Sequence, residues 1–162
     1  MIAYAFLHPG RVGQFADVPW PEPGAWLEAD IDSCPTVIHA ALPNGLPVWL
    51  AEELWEVELG GEIVLAERHA VAERGRLVRR IEAWNDETAR RFGEACAAEA
   101  RRRVATTPEL AGYADDAEAV TTRPPVAAYM TARLAELQDG PDGYDAERDR
   151  QARWLRDALA LI

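Results

Sequence analysis

The hydropathy period changes once along the chain, at Asn85, and that change constrains the fold more than any other feature. Before it, apolar and polar residues alternate: Trp55, Val57 and Leu59 fall on one face of an extended segment and Glu56 and Glu58 on the other, the period-2 signature of a half-buried strand. After it, Ala89, Phe92, Cys96, Ala100 and Val104 recur at helical spacing behind Asn85, a good N-cap, with Asp86 and Glu87 suited to the positive end of a helix. Strands followed by helices predict an α+β fold, an antiparallel sheet in the N-terminal half packed against three or four helices in the C-terminal half. A chain of 162 residues reads as a single domain, strand-rich over 1–83 and helical over 85–162. A domain of that size buries about two-thirds of the surface its unfolded chain exposes.

The strands are expected at Ile2–Leu7, Trp26–Ile31, Thr36–Ala41, Leu54–Leu59, Glu62–Ala66, Arg68–Ala72 and Arg76–Ala83. Gly60-Gly61 is read as a tight hairpin turn, and a short helix is expected over Leu46–Glu53, with Pro47 tolerated in its first turn. Helices are expected over Asp86–Arg103, from Thr107, over Val126–Leu137 and over Asp145–Leu161, with Pro124-Pro125 and Gly140-Pro141 as breaks. The last helix carries Trp154, Leu155, Ala158, Leu159 and Ile162 on one face. That stripe must be buried, in the chain's own core or against a second copy in a homodimer.

Composition narrows the function classes. A net charge of −11 and a pI of about 4.7 argue against a nucleic-acid partner, since phosphate binding needs clustered cations. All 17 basic residues are Arg. The bias fits a GC-rich bacterial genome, and it removes the lysine that Schiff-base and P-loop chemistry require. No apolar run approaches the ~20 residues of a membrane span and the N-terminus lacks a basic-then-apolar leader, so no membrane partner is expected and the location is read as cytoplasmic. Cys34 and Cys96 are far apart and unpatterned, as reduced thiols would be.

Against that background the candidate chemistry lies in the N-terminal half. His8 ends the first strand, and His39 sits inside the small, apolar Val37-Ile38-His39-Ala40-Ala41; a polar ring there faces either a cleft or a buried hydrogen-bond partner. If neighbouring strands bring His8 and His39 to one face, their ring nitrogens fall within about 10 Å. His69 reads as a solvated strand residue. Glu56 and Glu58 project from one strand face about 7 Å apart, either as paired acid and base in a cleft or as a solvated face. Asp30, Asp32, Cys34 and His39 are competent metal ligands in no recognised spacing, so no metal is assigned. Trp20, in a proline-rich loop, is read as capping a ligand pocket or anchoring the loop, with Tyr4 as a further ligand contact, whereas Trp49 and Trp55 are expected beneath the sheet. The reading is a small-ligand cleft lined by His8, His39, Glu56, Glu58, Tyr4 and Trp20, with no cofactor; the rival is a non-enzymatic interaction module.

Thr36-Val-Ile-His-Ala-Ala41, Leu46-Pro-Val-Trp-Leu50 and Leu54-Trp-Glu-Val-Glu-Leu-Gly-Gly61, with Ala3-Tyr-Ala-Phe-Leu7, resemble an uncharacterised domain of bacterial and phage proteins marked by a Gly-Phe/Ile-His-Ala-Cys box, a short helix and a Cys/Trp-Glu-Val-Glu strand. Val37 and Ala41 stand where that domain has Gly and Cys. The order Leu7-His-Pro-Gly10, Val37–Ala41, Leu46–Leu50 and Trp55–Gly60 also resembles the ADP-ribosyltransferase core. That resemblance implies NAD as cofactor, His8 at the nicotinamide ribose, His39 stacked on nicotinamide and Glu82 as the catalytic glutamate. Pro9 separates His8 from the glycine that would follow it.

Overall fold

The computed structural model describes residues 1–14, 18–29 and 38–161. The chain divides at the period change into two compact units, Met1–Trp84 and Asn85–Leu161, the first an antiparallel sheet and the second four α-helices.

The N-terminal unit has six strands: β1 (Ile2–His8), β2 (Val12–Gly13), β3 (Leu27–Glu28), β4 (Ile38–Ala41), β5 (Glu53–Leu65) and β6 (His69–Arg80). β1 pairs with β4, β4 with β6, β6 with β5 and β5 with β1, a closed circuit of antiparallel pairings. β2 pairs with β1, and β3 with β6. Alternation sends Ala3, Ala5 and Leu7 of β1, Ile38 and Ala40 of β4, Trp55, Val57 and Leu59 of β5, and Ala70, Ala72 and Leu77 of β6 into one buried cluster. The small alanines on β1, β4 and β6 leave the volume that Trp55 and Trp20 fill.

Two expected breaks are absent. β5 runs straight through Gly60-Gly61, which is not a hairpin turn: the register shifts between Gly60 and Ile63 and Gly61 has φ 72°, so the glycines supply a β-bulge. The chain reverses instead at Ala66–Arg68, where the Ala66 N–H donates to the His69 carbonyl at 2.9 Å. β6 likewise joins the two segments expected as separate strands. The helix expected over Leu46–Glu53 is one 3-10 turn, Leu46–Val48, because Glu53 already belongs to β5. That turn is pinned to the sheet: Leu42 N–H donates to Arg68 O at 3.1 Å, and a β-carbon on Gly45 would lie 1.8 Å from the same oxygen. Only glycine permits that approach.

In the C-terminal unit α1 (Asp86–Val104) starts as its sequence predicts, the Asn85 side chain accepting the Thr88 N–H at 3.1 Å. A 3-10 turn, Pro108–Leu110, leads into α2 (Ala111–Ala119). α3 (Pro124–Asp139) takes its prolines into its first turn rather than ending at them. Gly140, at φ 75°, closes α3 and opens α4 (Pro141–Leu159), so the last helix starts four residues before the expected Asp145. Its stripe is also corrected. Leu155 and Leu159 are buried, but Ala158 is exposed and Trp154 is half-buried with its ring 5.3 Å from that of Phe92; Ile162 lies outside the described residues. The buried face continues toward the N-terminus through Gln151, Arg148 and Glu147.

Candidate functional site

Strand register places the sequence-predicted residues. Glu56 of β5 lies opposite Tyr4 of β1, Tyr4 opposite Ala41 of β4, and Ala41 opposite His69 of β6, one line across four strands. All four side chains therefore stand on the sheet face away from the Ala3–Leu77 core. Two-residue alternation adds Glu58, His8 and His39 to the same face. Trp20 does not join them: it is buried in the core on the other face, because Gly13 and Gly75 leave room for its indole.

On that face the side chains form separate groups. His8 is exposed, and its Nδ1 lies 2.9 Å from Glu52 Oε2. Glu56 accepts from Arg79 Nη2 at 2.7 Å, and Glu58 Oε2 accepts from Arg76 Nε and Nη2 at 2.8 and 2.6 Å. These two carboxylates are the acidic half of a cross-strand ion-pair ladder. Tyr4 is buried, and Glu82 is exposed, 3.8 Å from Arg80 Nε.

His39 has different neighbours. Its ring centroid is 5.8 Å from that of His69 and 6.1 Å from that of Trp49, and Trp49 and His69 are 5.4 Å apart. The three rings form a triangle, each partly open to solvent. β4 and β6 supply the imidazoles as diagonal neighbours, His39 pairing with Val71 and Ala41 with His69. The indole arrives from the 3-10 turn that Gly45 seats on Arg68, and the Trp49 carbonyl accepts from Gln14 Nε2 at 2.5 Å. Burial, and then the charge of His69, hold the His39 pKa below its ordinary 6.5. At pH 7 the ring is neutral, competent to accept a hydrogen bond or a proton.

Trp49 therefore does not lie beneath the sheet, as its sequence context suggests, and His69 belongs to this ring cluster rather than being simply a solvated strand residue. The β4–β6 register brings His69 to His39, and the 3-10 turn brings Trp49 to both. Of the metal-ligand candidates, Asp30, Asp32 and Cys34 lie outside the described residues. Among the described residues no group of three or more His, Cys, Asp and Glu side chains is placed to hold a metal ion, and no helix is long and apolar enough to cross a membrane. No family model, curated protein or solved structure matches the chain.

Proposed function

We propose that the N-terminal unit binds a small planar ligand at the face bearing His39, His69 and Trp49. The observation that carries this reading is the triangle itself: two imidazoles and an indole with centroids 5.4 to 6.1 Å apart, none of them fully buried. The indole is the member that stands out, since tryptophan is highly buried on average, as Trp20 and Trp55 are here, and Trp49 is only half-buried. A flat ligand gains from stacking on an indole or imidazole face, about 0.5–1.5 kcal/mol for each ring beyond its area burial; His39 Nδ1 and Trp49 Nε1 are themselves buried, so the polar contacts that orient it fall to the other imidazole nitrogens.

The test is a panel of heteroaromatic ligands, with nicotinamide, adenine and NAD among them, screened by thermal unfolding in EDTA. A ligand at about 100 times its Kd stabilises the fold by about 2.7 kcal/mol. Trp49→Ala and His39→Gln should abolish the shift while their own unfolding stays cooperative. A shift that survives both substitutions, or a panel without a shift, refutes the reading.

A further inference from the structure

The same triangle points to a second kind of ligand. We infer that His39 and His69 together bind a divalent transition-metal ion, of the zinc or nickel type, on the outer face of β4 and β6. A tetrahedral or more open site with metal–nitrogen bonds of about 2.0–2.1 Å holds two imidazole ring centres about 5 to 6 Å apart, and the two centroids here are 5.8 Å apart. Both side chains come from antiparallel strands with fixed register, Ala41 opposite His69 and His39 opposite Val71, so the backbone positions that carry the two rings are set by the sheet. Imidazole is a preferred ligand for zinc, copper and nickel. No third His, Cys, Asp or Glu joins the pair among the described residues.

This inference rests on the ring cluster of the proposed ligand site but is tested separately from it. Trp49, 5.4 Å from the His69 ring, is close enough to report occupancy. The protein is stripped with EDTA, exchanged into chelator-free buffer and titrated with Ni(II), following tryptophan emission, and with Zn(II), following the histidine proton resonances. The expected result is a saturable quench with one site, and Zn(II) shifts at His39 and His69 with one common affinity while the His8 resonance stays in place. Removing even an outer partner of a metal ligand weakens binding by about 10- to 100-fold, so His39→Gln and His69→Gln should each weaken it by at least about tenfold.

Absence of saturable binding overturns the inference. So does a site in which His8 shifts with the same affinity, or one that only a single member of the pair affects. The wild-type resonances decide the matter even if a variant fails to fold. Planar ligands that bind in EDTA while the metal does not would leave the proposed function standing and remove only this inference.

Discussion

Gly75 and Trp20 occupy a space that one β-carbon would fill: a Cβ built on Gly75 lies 3.1 Å from Cη2 and 3.2 Å from Cζ3 of the indole, and 3.3 Å from Ile38 Cγ2. One register step away Gly60 receives Trp26 on similar terms, with its Cβ position 3.3 Å from that indole. The proline-rich loop is thus fastened by two tryptophans seated on two glycines of neighbouring strands. Gly75→Val should destabilise the protein by about 1–3 kcal/mol through overpacking, although valine favours strands. Urea unfolding measures this, and an unchanged or raised midpoint would show that Trp20 can move aside.

Gly93 is held to glycine inside a helix by the close approach of Thr121. Alanine in a helix interior is better than glycine by about 1 kcal/mol. Yet a β-carbon on Gly93 of α1 would lie 2.0 Å from the Thr121 carbonyl oxygen, and backbone cannot yield as a flexible side chain does. Gly93→Ala should therefore lower the thermal midpoint, whereas Gly112→Ala, whose β-carbon meets nothing within 4 Å, should raise or preserve it.

These glycines also show what was legible beforehand. Binary alternation and the N-cap at Asn85 carry the fold class and the start of α1, because both are local patterns that burial preserves. Gly60-Gly61 misleads because a bulge and a hairpin turn draw on the same left-handed glycine, and only pairing with β6 separates them. The error spreads to the site: with β5 and β6 cut in two, nothing in the sequence places His69 beside His39. His8, Glu56 and Glu58 stood out as residue types. Their partners, Glu52, Arg79 and Arg76, are fixed by contacts 18 to 44 residues apart in the chain.

The C-terminal helix separates two substitutions that its sequence pattern treats alike. Leu155 is fully buried and Trp154 is not. Leu155→Ala should cost about 2–5 kcal/mol and exceed Trp154→Ala, which loses the Phe92 contact but exposes little new core. Equal losses, measured by chemical denaturation, would place Trp154 in the core after all.

Glu147 is the polar centre of that helix unit. It is fully buried, accepts from Arg150 Nε and Nη2 at 2.8 and 2.7 Å and from Gln151 Nε2 at 2.8 Å, and Gln151 in turn donates to Ala128 O at 3.0 Å. Removing one member of such a pair leaves the other poorly compensated, at a cost of about 3–5 kcal/mol. Glu147→Ala should lose that much. Glu147→Ala/Arg150→Met should recover part of it, and a double variant no better than the single one would mean that the remaining partners, not the lost pair, set the cost.

Cys96, on the adjoining face of α1, carries the pH dependence. Burial is the main cause pushing its thiol from 9.0 up to about 12, with Glu147 adding to the rise and the Arg150 charge opposing it. The folded state therefore keeps a proton that the unfolded chain releases above pH 9. Stability rises with pH only where the unfolded state holds more protons; here it holds fewer, so the thiol makes no demand below pH 9 and lowers stability progressively between pH 9 and about 12. The difference in unfolding free energy between the parent and Cys96→Ala should be constant from pH 7 to about pH 9 and shift in favour of the variant above it. The same burial makes the thiol inert. In a Cys34→Ser background at pH 8, a thiol-specific reagent should modify Cys96 only in denaturant, at the rate of a free cysteine. Rapid modification of the folded protein would show the α1 face open to solvent and remove the cause assigned to the raised pKa.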